Sequence, residues 1–291
     1  MAFNIPFVHN LLESILKFFN PSLKPGRRVT RNWFLVNPTH FFIVLFVYTI
    51  FVVASYLYKV YFASKQKSDN TLSKIKPSSS SKYKNGRMEV IVEKMIPVYN
   101  LSQVLLSLFI TVLTIYEARK RKFSLFYNYV DFSKANIALC CWLFYLNKML
   151  DFMDTILIVV RKKWNQFTFL HAYHHISIFL VMWINTSVGY DGDIYYIVTA
   201  NSVVHFIMYF YYFLTSLKVS IPVFIKASVT YIQIVQFLSM MFPGFCVFFF
   251  KHSTPHPRRL LALSFCYCVT LLVLFCQFAY NTYVRPKKKV A

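Results

Sequence analysis

Charge is scarce in this chain. Asp, Glu, Lys and Arg together make up 14% of its 291 residues, while 57% are hydrophobic and 20% aromatic. A soluble domain needs a denser polar coat, and long uncharged apolar runs are the mark of membrane helices. Acidic residues number 10 against 32 basic ones, a net charge of +22. Neither an aromatic-interleaved basic face nor a zinc-finger spacing accompanies that charge, so nucleic-acid binding is not expected. The basic residues fall between the apolar runs instead, where the positive-inside bias and anionic headgroups favour them. The six cysteines (Cys140, Cys141, Cys246, Cys266, Cys268 and Cys276) contain no CxxC pair and no secreted-domain spacing. That argues against a disulfide framework and structural zinc, and leaves them as packing residues. There is no internal repeat, and the first apolar run begins near Phe41, too late for a cleaved signal peptide.

The class that remains is an all-α integral membrane protein. Seven segments are long enough to span a bilayer at about 1.5 Å per residue: 41–60, 96–116, 136–160, 167–187, 194–217, 226–250 and 260–284. Residues 1–39 form an N-terminal segment in which "FVHNLLESILKFF" (Phe7 to Phe19) reads as an amphipathic surface helix. Residues 40–284 form the membrane domain, within which 63–95, containing "KPSSSSKYKNGR", reads as a polar, disordered loop. Lys and Arg, counted by loop, lean toward an external N-terminus and a cytosolic C-terminus, although "EARKRK" (Glu117 to Lys122) falls on the other side. The basic tail, 285–291, ends KKKVA, with Lys289 and Lys288 third and fourth from the end. It is similar to the dilysine signal that returns membrane proteins to the endoplasmic reticulum, which works only in the cytosol.

Ionisable side chains inside a bilayer are costly and mark function. Four spans carry them. The third has "KMLDFMDT", placing Lys148, Asp151, Asp154 and Thr155 on one face. The fourth has "HAYHH", with His171, His174 and His175 at i, i+3 and i+4. The fifth has "NSVVHFIMYFYY", where Asn201, His205, Met208, Tyr209 and Tyr212 share a face. The sixth has "TYIQIVQ", with Thr230, Gln233 and Gln236 at i, i+3 and i+6. Measured from the cytosolic ends of antiparallel spans, these clusters lie roughly 9–18 Å deep at about 1.5 Å per residue. Agreement in depth across four helices points to one shared site, since scattered helix–helix hydrogen bonds have no need of it.

HxxHH is also a fragment of the membrane di-iron pattern of lipid desaturases and hydroxylases. Such a centre draws on several histidine boxes, and this chain has one; His9, His40, His252 and His256 lie in loops or at a span edge. No metal is expected. A neutral imidazole serves otherwise as a general base or as a nucleophile, forming an acyl-imidazole. Asn, Gln and Tyr suit a developing oxyanion, and a Phe- and Tyr-lined tunnel suits an acyl chain. The inventory reaches acyl chemistry in a membrane near the cytosolic side. A lipid oxygenase and a seven-helix transporter or receptor remain as alternatives.

The four motifs, in this order and spacing, resemble the fatty-acid elongases of the endoplasmic reticulum, whose patterns are KxxExxDT, HxxHH, NxxxHxxMYxYY and TxxQxxQ. The resemblance covers about residues 96–250. It implies seven helices, the last six forming a barrel around a narrow acyl tunnel. It implies the 3-oxoacyl-CoA synthase reaction, in which acyl-CoA and malonyl-CoA give a chain two carbons longer plus CO2 and CoA, with no cofactor. It implies acyl transfer on His174, with His205 at the reacting carbons and His171, His175 and Asn201 orienting groups or stabilising charge. Lys148, Asp151, Asp154, Tyr209, Tyr212, Gln233 and Gln236 would support them. Asp151 departs from the pattern's Glu and is one methylene shorter, needing a water or a shifted helix to reach the same partner. Arg161, Lys162 and Lys163 at the cytosolic mouth suit CoA phosphates. The other enzymes of the cycle (ketoacyl reductase, dehydratase and enoyl reductase) are expected partners, and a homo-oligomer is compatible. Asn185 and Asn100 match the glycosylation pattern, but both fall near span ends.

Overall fold

The computed structural model describes residues 5–73 and 87–285, with side chains over 5–61 and 91–285. Lys288 and Lys289 lie outside the described residues. The elements are helices throughout: α1 (Pro6–Phe19), α2 (Pro38–Ser73), α3 (Arg87–Lys120), α4 (Asn136–Leu150), α5 (Phe152–Val160), α6 (Phe169–Val188), α7 (Ile194–Ser216), α8 (Val223–Phe249) and α9 (Arg258–Ala279), with a π-helical turn at Tyr280–Val284. Among the described residues there is no strand.

Five helical stretches are long and apolar enough to cross a membrane: Pro38–Tyr61, Ile91–Lys120, Ile194–Ser216, Val223–Phe249 and Arg258–Val284. The segments expected at 136–160 and 167–187 are not among them. The first is broken at Asp151 into pieces of 15 and 9 residues; the second, α6, carries three histidines in its first two turns. At the break Asp151 closes onto Asn147 O while Asp154 N bonds Asp151 O at 3.1 Å, an i to i+3 closure that tightens the turn. The stretch expected as a loop at 63–95 is partly helical, because α2 continues to Ser73 and α3 begins at Arg87.

The helices close on themselves. α3 packs on α4, α4 on α6, α6 on α9, α9 on α8, α8 on α7, and α7 back on α3. α2 stands outside this ring against α5 and α6, and α1 docks on α2, α6 and α9 through buried Leu12 and Leu16. Inside a bilayer helix association rests on packing and interhelical hydrogen bonds, and aromatic rings supply both. Phe41 stacks on Trp183 at 4.2 Å, Tyr145 stacks on Phe179 at 4.9 Å, and Trp183 Nε1 donates to Val36 O at 3.0 Å. The outer faces stay apolar, with Phe46, Val53, Leu105, Val112 and Val235 exposed. Asn185 and Asn100 are buried within helices, so neither is a glycosylation acceptor as placed.

At the end of the bundle where α3 finishes and α7 starts, two carboxylates fasten the loops. Asp193 accepts from the backbone N–H groups of Tyr127 and Asn128 and from the Asn128 amide, each at 2.8 Å. Asp191 pairs with Arg121 and accepts from Asp131 N. Burial pushes the Asp191 carboxyl up, while Arg121 and the backbone donors hold it down. Gly192 between them has φ +71°, a conformation that L side chains avoid, and a Cβ there would sit 2.8 Å from Val130 Cγ2. Nearby His256 is buried, and burial lowers its imidazole to about 4.

Candidate active site

The broken turn at Asp151 is where the polar groups meet. Lys148, on the last turn of α4, is 0% exposed, and Asp151 is 1% exposed. Lys148 Nζ donates to Asp151 Oδ2 at 3.0 Å and to Asn201 Oδ1 at 3.3 Å. It also lies 3.3 Å from both ring nitrogens of His205. A position that near to both nitrogens and in the ring plane would overlap Cε1, so the ammonium sits over the imidazole face. Asp151 Oδ2 stands 3.8 Å from His205 Nδ1, beyond hydrogen-bond range.

Asp151 is met on both oxygens. Its Oδ1 accepts from Gln103 Nε2 and from the Tyr209 hydroxyl, each at 3.1 Å. Tyr209 also lies 2.6 Å from Asp154 Oδ2. The shorter carboxylate therefore needs neither water nor a long side chain, because the helix breaks where it sits. Gln103 and Tyr99 of α3 belong to this centre and sequence reasoning missed them. Gln103 is buried, with Oε1 unpartnered, and its Nε2 also reaches the Tyr99 hydroxyl at 3.3 Å. The available signal was a polar row at helical spacing in the second span, Asn100, Gln103, Ser107, Thr111 and Thr114.

The three histidines of α6 divide. Thr168 caps the helix, its hydroxyl accepting from His171 N. His171 Nε2 is held by Thr155 Oγ1 at 2.9 Å, and Thr155 in turn lies 2.7 Å from the Tyr48 hydroxyl. His175 packs between its neighbours, 4.4 Å ring to ring from His171 and 5.5 Å from His174. Among the described residues no hydrogen bond reaches the His174 side chain. Its Nδ1 is walled in, which leaves Nε2 as the nitrogen with open surface.

That surface belongs to a narrow cavity with about 30 Å3 of room for water, enough for one or two molecules. His174, Ile178, Val181 and Asn185 line it at i, i+4, i+7 and i+11, one face of α6, so it follows the helix for about 16 Å at 1.5 Å per residue. Asn201, Gln236 and Tyr267 line it from α7, α8 and α9. Its far end reaches buried Asn185, whose Oδ1 has no partner.

Other expected residues stand apart. His205 is not in the cavity wall; it adjoins Asn201 behind Lys148. Gln233 Nε2 meets Met208 Sδ at 3.7 Å, and Thr230 meets the Tyr283 hydroxyl at 3.2 Å. Tyr212 is 41% exposed and meets Tyr209 of the centre edge to face, its ring centroid 6.0 Å away. Arg161, Lys162 and Lys163 follow the C-terminus of α5, where cations suit the helix dipole; Arg161 Nε is buried without a partner. Among the described residues no three His, Cys, Asp or Glu side chains are grouped as a metal site.

Comparison with known proteins adds a family. The model described as "ELO: GNS1/SUR4 family" matches residues 33–291. The chain is 35% identical over 190 residues to "Fatty acid elongase 6" of Leishmania major, covering 62% of this chain and 50% of that protein. It is 31% identical over 200 residues to "Very long chain fatty acid elongase 4" of Homo sapiens, covering 67% and 63%. It is 28% identical over 278 residues to "Very long chain fatty acid elongase 2" of Mus musculus, covering 94% and 86%. The matches to the first two thus span less than two thirds of those proteins' length.

Proposed function

The chain belongs to the ELO (GNS1/SUR4) family, and on that premise we propose that it is a condensing enzyme of fatty-acid elongation. It joins acyl-CoA to malonyl-CoA, releases CO2 and CoA, and yields a 3-oxoacyl-CoA two carbons longer. One observation carries the reading: His174 offers an unbonded imidazole to a largely apolar cavity at the edge of a dense polar centre. A nucleophile must be free of competing bonds and face the place where the acyl chain lies.

His174 takes the acyl group from CoA as an acyl-imidazole. Decarboxylation of malonyl-CoA supplies the carbanion that displaces the imidazole. His171, fixed by Thr155, and His175 hold the box in place, and His205, outside the cavity wall beside Lys148 and Asn201, acts on the reaction through them. The reaction needs no metal and no redox cofactor. The broken α4–α5 rod and α6 also cross the bilayer, making seven spans, and the ring from α3 to α9 is the barrel around the acyl tunnel. The tunnel is too narrow for a chain at rest and widens to admit one. Arg161, Lys162 and Lys163 receive CoA phosphates at the cytosolic mouth. The membrane is that of the endoplasmic reticulum, with the C-terminus in the cytosol. There the reductases and dehydratase of the cycle take the product onward, and the chain can self-associate.

The test supplies membranes of a host expressing the chain with labelled malonyl-CoA and a panel of acyl-CoAs, with chelator and without NADPH. Labelled 3-oxoacyl-CoA above host background is expected, and the panel names the preferred length. His174→Ala that keeps condensation within tenfold of wild type would remove the nucleophile assignment.

A further inference from the structure

We propose that Asn201 donates the hydrogen bonds to the acyl carbonyl at His174, and that Lys148 is the positioning residue that turns its carboxamide toward the tunnel. The inference rests on the acyl-transfer reading above and adds to it the group that carries the oxyanion.

Lys148 Nζ lies 3.3 Å from one end of the Asn201 amide. An ammonium can only donate, so the amide atom facing it is oxygen, and Nδ2 points the other way. Among the described residues no acceptor meets that Nδ2, and Asn201 lines the cavity together with His174. The Nδ2 end, turned away from Lys148, is thus the part of Asn201 with donors to spare for the cavity that Asn201 and His174 both line. Lys148 is well fixed for this task. It is held by Asp151 Oδ2 at 3.0 Å, lies over the rings of Phe144 and His205, and has no route to solvent. Without it the amide loses its orientation, since its two ends have nearly the same shape. A reversed amide would set an acceptor against the growing negative charge.

The chemistry shows where those donors act. A His174 nitrogen bonds the thioester carbon while the carbonyl pair moves onto oxygen. The pair returns as the C–S bond breaks, and the thiolate leaves as CoA with the imidazole N–H proton. In the second half the malonyl C–CO2 bond breaks and its electron pair forms the new C–C bond to the acyl carbon, releasing CO2. The imidazole then departs and regains one proton from water. Charge gathers on the same carbonyl oxygen in both halves, so one fixed pair of donors serves twice.

The experiment uses the full chain in lipid nanodiscs with an unreactive ketone analogue, an S-(2-oxoalkyl)-CoA carrying a 13C carbonyl, read by infrared difference spectroscopy. Wild type is expected to shift the carbonyl band downward, and Asn201→Leu to return it to the unbonded position. Asn201→Leu should also lower kcat about 100- to 1,000-fold, the usual loss on removing an oxyanion donor, with KM nearly unchanged. Lys148→Met alone leaves Asp151 unpaired, so it is paired with Asp151→Asn, which keeps an acceptor for Gln103 and Tyr209. This double variant should bind the analogue, lose most of the band shift, and lose little further kcat when Asn201→Leu is added. A wild-type band at the unbonded position, with the analogue bound, overturns the Asn201 role and leaves acyl transfer on His174 standing. A full shift retained in the double variant overturns the Lys148 role. Failure of wild type to bind the analogue overturns both this inference and the condensing reading.

Discussion

Lys148 and Asp151 form an ion pair with no access to water, and its energetics give the sharpest check on the structure. Taking two charges out of water is costly, and their attraction at 3.0 Å offsets that cost only while both are present. Lys148→Met strands the carboxylate, and Asp151→Asn strands the ammonium against Asn201 and His205. Breaking a buried pair from one side costs about 3–5 kcal/mol, which at roughly 2–4 °C per kcal/mol for a chain of this order of size lowers the unfolding midpoint by about 6–20 °C. The double variant removes both charges, keeps an acceptor at position 151, and should return to within about 2 kcal/mol of wild type, since neutral replacement of a buried pair is often close to neutral. Thermal unfolding in detergent can be followed with a thiol-reactive dye, because Cys140, Cys141 and Cys268 are buried and become reactive only as the bundle opens. Activity should not return with stability. Single variants that each lose less than about 1 kcal/mol, or a double variant as unstable as the two losses added, would show that the pair is not buried as described.

Asp151→Glu restores the family's residue type but pushes a carboxylate, already met on both oxygens, one methylene further into a closed site; it should lose about 1–3 kcal/mol of stability and gain no condensing activity in the labelled-malonate assay. Asp193→Ala leaves two backbone N–H groups and the Asn128 amide without their acceptor; a loss of about 3 kcal/mol is expected from stranded donors, with faster proteolysis of the 121–135 loop, and Asp193→Asn should fall between. Gly192→Ala must hold φ +71° against Val130, costing about 1–2 kcal/mol for the left-handed backbone alone, read as a lower unfolding midpoint. His256 has its imidazole lowered to about 4, so between pH 6.5 and 4 the unfolded chain takes up a proton that the folded chain refuses. Stability should fall across that window by about 3 kcal/mol, and His256→Gln should flatten the slope of midpoint against pH.

Much of this arrangement was legible in one dimension because a membrane makes polarity expensive. In the apolar spans Lys148, Asp151, Asn201 and His205 stand out by residue type alone, and antiparallel spans convert their positions into a common depth. Gln103 was missed for another reason: its face is marked only by uncharged companions, Asn100, Ser107, Thr111 and Thr114, which are buried with it and stand out less than an ionisable group does. Periodicity also ran past the helix break. Asp151 continues the polar face of the third span, so nothing in the pattern says that the backbone turns there and lets a short carboxylate reach its partners. The extension of α2 to Ser73 was masked by composition, since Lys, Ser and Asn outside the bilayer read as loop whether or not the helix continues into water.

The deeper reason for the division lies in what each histidine must do. Three imidazoles on one face look interchangeable in sequence, and only their partners separate them. His171 is tied to Thr155, His175 is packed between its neighbours, and His174 alone pairs an open nitrogen with the cavity. A hydrogen bond to the attacking nitrogen would have to be broken before each turnover, at about 0.5–1.5 kcal/mol or more for a buried group. His175 Nδ1 is unpartnered as well, but His174 is the one of the three that lines the cavity, and on the acyl-transfer reading proposed above its free nitrogen spares the reaction that cost. The same economy governs the centre behind it. Lys148 spends its donors on Asp151 and Asn201 Oδ1 and lies against the His205 ring, and among the described residues the Asn201 N–H groups meet no acceptor. Gln103 Oε1 apart, the centre behind Lys148 is hydrogen-bonded, and on the acyl-transfer reading proposed above its unpaired donors are the ones left for substrate.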